Sequence, residues 1–216
     1  MGKKILNVAI LISAFAAIYS QYVKNLELYN YLKPLTTILI IAVVVVFGKR
    51  KPKKYFITVL TALLFCLLGD TLLLNNNYFI YGLASFLVAH ILFAYSFISL
   101  NGINLNIRPL VVLLTTGIAY YSFIYKGLGE LVIVVGVYIL FILFMCWQGI
   151  NLYIKHKGGV FLAIAIAVSL FLISDAILAY NKFVQAFNYS GVLILLTYWL
   201  AIGIIANSTM YLKNTK

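Results

Sequence analysis

The segment Lys49-Arg50-Lys51-Pro52-Lys53-Lys54, followed by residues 55–74 (YFITVLTALLFCLLGDTLLL), decides the fold class. Five cations give way to twenty residues that contain a single charge, Asp70. A helix needs about 20 apolar residues to cross about 30 Å of hydrocarbon at 1.5 Å per residue, and this run has that length. A strand of a membrane barrel would be about half as long and would alternate polar with apolar residues, which this run does not.

Seven more runs of the same kind flank it, over residues 5–23, 33–48, 78–100, 108–125, 131–153, 159–180 and 189–212. The short segments between them leave no room for a soluble unit. The sequence therefore predicts an all-α polytopic membrane protein, a bundle of eight transmembrane helices forming one domain over residues 1–216. Composition agrees, with 65% of residues hydrophobic, 9% charged and a mean hydropathy of +1.09. Disorder, a coiled coil and a disulfide scaffold are excluded. Cys66 and Cys146 both lie inside apolar runs and read as small buried hydrophobes. The net charge of +12 would suggest nucleic acid in a soluble protein, but here the cations cluster between spans and report topology instead.

Summed over alternate sides, twelve Lys and Arg fall on one side and four, Lys24, Lys33, Lys126 and Lys182, on the other. Positive residues stay inside, so both termini are expected in the cytoplasm, and in the inner (plasma) membrane if the source is bacterial. Ala14-Phe15-Ala16 resembles a signal-peptide cleavage site, but the apolar run continues past it and is counted as a span.

Ionised side chains at bilayer depth cost about 2.5 to 3.5 kcal/mol on insertion scales, so the two carboxylates inside apolar runs, Asp70 and Asp175, are the informative ones. Counted from the ends of the third and seventh runs, both are expected about 6 to 8 Å below the outer surface. A small residue precedes each, Gly69 and Ser174, and Phe79 and Phe183 follow at similar spacings. Such an echo fits a 4+4 pseudo-repeat. Two close carboxylates in a low dielectric share one proton more easily than they both ionise, which supplies an acid and a base. The competing reading is that each Asp is hydrogen-bonded packing glue.

His90, mid-run and about 10 Å deeper by the same count, is open to two readings, a proton-relay or headgroup role and a satisfied core histidine. Lys33 and Lys182 stand on the side poor in cations, as contacts for a phosphate or as snorkelling residues. Tyr198 and Trp199 are placed to line a cavity at the level of the aspartates. The expected cavity lies among the second, third, fourth, seventh and eighth spans and opens toward the outer leaflet. A catalytic zinc needs about three protein ligands, which one His and two Asp do not make, so no metal is expected. No Gly-rich phosphate loop or Ser elbow suggests a cofactor.

The ordered set Lys33-Pro34, Gly69-Asp70, Leu73, Phe86, Ala89-His90, Tyr138, Phe171, Ser174-Asp175, Leu178-Ala179, Lys182-Phe183, Thr197-Tyr198 and Ala201 resembles the lysoplasmalogenase (YhhN-like) family of membrane proteins. Ile202 departs from its pattern, in which Gln often follows the Ala. The resemblance implies a hydrolase that cleaves the vinyl ether bond of a lysophospholipid substrate, a lysoplasmalogen, to a fatty aldehyde and a glycerophospho-amine without a cofactor. Asp70 and Asp175 would be catalytic, and Lys33, His90, Lys182 and Tyr198 would bind substrate. Asp70 is assigned as the acid and Asp175 as the base, on the ground that the Ser174 hydroxyl can hold Asp175 ionised. The alternative is a proton-coupled transporter, or another lysolipid-binding protein, using the same aspartates.

Overall fold

The computed structural model describes residues 2–212; Met1, and Lys213 and Lys216 of the charge count, lie outside the described residues. Eight helices form, each long and apolar enough to cross a membrane: α1 (Gly2–Tyr22), α2 (Leu26–Phe47), α3 (Lys53–Leu72), α4 (Phe79–Asn101), α5 (Ile107–Ile124), α6 (Val132–His156), α7 (Gly159–Phe183) and α8 (Ser190–Ser208). No strand occurs among the described residues. The α1 start and the connections after α2, α4 and α6 form a basic face, and the connections after α1, α3, α5 and α7 form the opposite face.

Seven of the helices close a ring in the order α1, α2, α3, α4, α6, α7, α8 and back to α1, while α8 also reaches α2 and α3. The fifth helix stands outside this ring against α6. Its entry is fixed by a polar knot on the basic face. The Asn104 backbone N–H donates to the Gln148 side chain at 3.1 Å, Asn151 Nδ2 donates to the Asn104 carbonyl at 3.0 Å, and Trp147 Nε1 donates to the Asn106 carbonyl at 2.7 Å. Because these partners all lie on α6, α5 starts beside α6 and remains there.

Close approach of α3 and α4 depends on glycine. A Cβ on Gly69 would come within 2.6 Å of the Phe86 ring, and one on Gly82 within 2.6 Å of Leu73. The two helices therefore meet one residue before Asp70, as the small residue there suggests.

The second helix departs from the sequence reading. The apolar run places this span at residues 33–48, yet α2 begins at Leu26, behind Asn25, whose side chain accepts from the Leu28 N–H at 3.2 Å. An Asn cap supplies the start signal, ahead of the apolar run. Glu27 falls in the first turn, where it complements the helix dipole. Pro34 lies within the helix and removes one rung of its hydrogen-bond ladder.

The Gly69 contact makes a stability prediction. Gly69→Val overpacks the α3–α4 crossing, at about 1 to 3 kcal/mol, so its melting temperature in detergent should fall. Gly69→Val combined with Phe86→Ala should recover part of that loss, and an unchanged melting temperature for the single variant would refute the crossing.

Candidate active site

Asp70 sits two residues before the end of α3 and is 1% exposed. Its Oδ2 accepts from Thr37 Oγ1 at 2.6 Å and from the Tyr198 hydroxyl at 2.8 Å, and Lys33 Nζ lies 3.8 Å from Oδ1. Trp199 Nε1 donates to Thr37 Oγ1 at 3.3 Å, adding an outer link. Lys33 and Thr37 are four residues apart, so they share a face of α2 and reach the same carboxylate. A buried charge needs this number of partners, because each unmet lone pair would add to the desolvation cost. The result ties α2 and α8 to α3.

Asp175 is held differently. Its Oδ2 accepts from the Tyr138 hydroxyl at 2.6 Å, and His90 Nε2 stands 3.5 Å from the same oxygen. The His90 ring is fully buried, 4.8 Å from the Phe171 ring centroid and 5.2 Å from that of Tyr138, and neither ring nitrogen has a hydrogen-bond partner. The Asp175 side chain is 14% exposed and opens into a cavity of about 340 Å³ among α4, α5, α6 and α7. That cavity runs from Phe79 and Phe183 near the opposite face to Ile142 and Leu143 deep in α6, and its wall is almost wholly apolar. Lys182 is exposed beside its rim, with Nζ 4.7 Å from the Phe79 ring centroid.

No hydrogen bond joins the two carboxylates. Between their networks stand the rings of Tyr198, Phe86 and Phe171, in edge contact at centroid distances of 5.5 to 6.4 Å. Cys66, one turn before Asp70, is within electrostatic reach of both.

Several expectations change accordingly. The cavity is lined by the fifth and sixth helices with the fourth and seventh, and the second, third and eighth do not contribute. Lys33 is not a surface cation but a buried partner of Asp70, because α2 starts seven residues earlier than expected. Tyr198 donates to Asp70 and does not line the Asp175 cavity. His90 is level with Asp175, since α7 continues eight residues beyond that Asp and α3 only two beyond Asp70. Counting from helix ends thus fails as a common measure of depth. The Ser174 hydroxyl donates to the Ile194 carbonyl of α8 at 3.0 Å, so it does not hold Asp175.

Sequence reasoning missed Thr37 and the donor role of Tyr138. The i, i+4 spacing from Lys33 could have revealed Thr37. Tyr138 was hidden among seventeen tyrosines, most of which suit membrane interfaces.

Removing one member of a buried ion pair commonly costs about 3 to 5 kcal/mol, because the other charge is left unpaired. Lys33→Met should therefore lower the melting temperature sharply, and Lys33→Met with Asp70→Asn should lower it less than the Lys33 change alone. Additive losses in this double-mutant cycle would show that the pair is not coupled.

The chain is 34% identical to lysoplasmalogenase TMEM86A of Bos taurus over 158 residues, 70% of this chain and 65% of that protein. It is 32% identical to lysoplasmalogenase TMEM86A of Homo sapiens over 159 residues, again 70% of this chain and 65% of that protein. Lysoplasmalogenase TMEM86B of Rattus norvegicus is 32% identical over 136 residues, 62% of this chain and 53% of that protein. The matched region spans just under two thirds of the length of the two TMEM86A proteins, and no solved structure matches. The YhhN family model matches residues 28–209, a region that holds both carboxylates, every side chain that contacts them and the whole wall of the cavity, and the chain belongs to the YhhN family.

Proposed function

We propose that this protein hydrolyses the vinyl ether bond of a lysoplasmalogen, releasing a fatty aldehyde and a glycerophospho-amine. The observation that carries the reading is a carboxylic acid, Asp175, set in the wall of an apolar cavity with an ammonium group, Lys182, beside its rim. The names of the relatives support the substrate class.

In the reaction, the Asp175 carboxyl gives its proton to the alkene carbon remote from the ether oxygen. The adjacent carbon becomes an oxocarbenium ion stabilised by that oxygen and by the carboxylate just formed. Water adds to this carbon and its proton returns to Asp175. The resulting hemiacetal collapses, its hydroxyl proton passing to the glyceryl oxygen as the C–O bond breaks. One carboxyl thus serves as acid and then as base, as paired carboxyls divide the same work in glycoside hydrolysis. Tyr138 orients the carboxylate, and His90 stands beside it without lining the cavity.

Catalysis by two aspartates is accordingly divided. Asp175 meets the substrate, and Asp70 is a positioning residue that holds Tyr198 and the aromatic partition behind it. Lys182 takes the lipid phosphate. It lies seven residues beyond Asp175 on α7, about 10 Å along the axis, a separation of the order of a glycerophosphate. The alternative, proton-coupled transport or lysolipid binding without cleavage, draws on the buried Lys33–Asp70 pair.

A four-plus-four relation belongs to the same reading. Asp70 in α3 takes donors from α2 and α8, while Asp175 in α7 faces Tyr138 from α6 and His90 from α4. Moving each helix four places along the chain, cyclically, interconverts the two sets. We also assign the basic face, and with it both termini, to the cytoplasm.

Asp175→Asn should lower aldehyde release from a lysoplasmalogen by about 10² to 10⁴, the usual worth of general acid–base catalysis, while the protein remains folded. Tyr138→Phe should lose less. Full activity in Asp175→Asn would end the proposal, and binding of the lysolipid by wild type without cleavage would favour the alternative. For the topology, a thiol reagent applied to intact cells should label Asn76→Cys and spare Lys155→Cys; the reverse pattern would invert the assignment.

A further inference from the structure

The cavity is too short for the tail of a membrane lipid. Toward the basic face its lining ends at Leu172 on α7 and Leu143 on α6, about 4 Å past Asp175 and about 7 Å past Tyr138 along their helices. One lipid chain spans half of the hydrocarbon layer, about 15 Å. The inner end is closed as well, because Gly117 of α5 fits so tightly on Leu143 that a Cβ would overlap it. At the other end the rim beside Lys182 is taken by the headgroup, and Ile124, Leu128 and Val135 packed with Phe183 leave no second passage there for the tail.

The remaining exit for the tail is sideways. The α4–α6 and α6–α7 contacts belong to the ring, α5 packs along α6, and α4 meets α7 at the Phe79–Phe183 edge contact, whereas α5 meets α7 only sparsely. On the outer side of this seam lies a second groove, lined by Ile177, Tyr180 and Phe187 together with Tyr120, Ile173 and Ala176. The last three also line the cavity, so they form the partition between the two spaces. Across it the Tyr120 hydroxyl donates to the Ala176 carbonyl at 2.5 Å, one residue from Asp175.

We infer that the α5–α7 seam is the subsite for the hydrocarbon tail. With the vinyl ether at Asp175, the chain passes Tyr120, displaces its bond to Ala176, and leaves through the inner end of the outer groove, past Ile173, with its end in the bilayer. This inference rests on the proposed function for the class of lipid, but the path of the tail does not require cleavage. It also makes the part of the chain beyond the groove invisible to the protein, so long tails should be accepted alike.

The test uses the full chain in nanodiscs and two photoreactive probes built on a saturated 1-O-hexadecyl lysophosphoethanolamine, which lacks the cleavable bond. One carries a diazirine partway along the chain and the other a diazirine beside the ether. The mid-chain probe should give adducts on Ile173 or Ile177 that unlabelled lipid competes away, and the ether probe should mark Tyr138 or Leu172. Mid-chain adducts on Ile142 or Leu143, or no competable adduct from either probe, would overturn the inference. Seam adducts in a protein that fails to cleave lysoplasmalogen would leave the tail subsite standing and remove the proposed reaction.

Discussion

The constraint on which the structure depends is the placing of two carboxylates among helices with no water to solvate them. Each insertion costs about 2.5 to 3.5 kcal/mol and must be offset by donors from neighbouring helices. Asp70 collects Thr37 and Lys33 from α2 and Tyr198 from α8, while Asp175 collects Tyr138 from α6 and faces His90 of α4. These demands join α2 and α8 to α3, and α6 and α4 to α7, beside the α3–α4 and α7–α8 contacts that packing makes. Apolar packing alone is poorly directional in lipid, where tails are as good a partner as leucine.

The two carboxylates differ in what is left over. Asp70 has its neighbourhood filled, with an ammonium, a threonine and a tyrosine all turned toward it, and only 1% of its surface remains. Asp175 has one donor and one uncommitted histidine, and the rest of its carboxyl faces an apolar space. The proposed division follows from this difference: the carboxyl with unfilled hydrogen-bonding positions beside an apolar space is the one assigned to the lipid, and the saturated one is assigned to holding helices together. The fifth helix belongs to neither network and covers the cavity through its packing on α6 and the Tyr120 bond to α7.

The sequence revealed the number and type of elements well, since a run of twenty apolar residues has few other uses. It also isolated Asp70 and Asp175 by their rarity. It could not reveal neighbours. Ile10 is buried and Ile12 is 65% exposed, yet both are isoleucines in one apolar run, because the side facing lipid and the side facing protein have the same composition. For that reason the cavity was sought among the wrong helices. The start of α2 is written in the sequence by Asn25, a capping residue that lies outside the apolar run and so outside any count of apolar residues. Helix ends are also a poor ruler for depth, since α7 runs eight residues past Asp175 and α3 only two past Asp70.

The central claim is that Asp175 protonates an alkene carbon in the cavity, and the isotopic composition of the products tests it most directly. Turnover of a lysoplasmalogen in D₂O enriched in H₂¹⁸O should give an aldehyde with one deuterium on the carbon next to its carbonyl and ¹⁸O in that carbonyl, and a glycerol product that keeps its original oxygen. The deuterium should appear at the rate of wild-type turnover and be lost with Asp175→Asn. An aldehyde free of deuterium at that carbon, or ¹⁸O in the glycerol product, would contradict protonation of the alkene and with it the role assigned to Asp175.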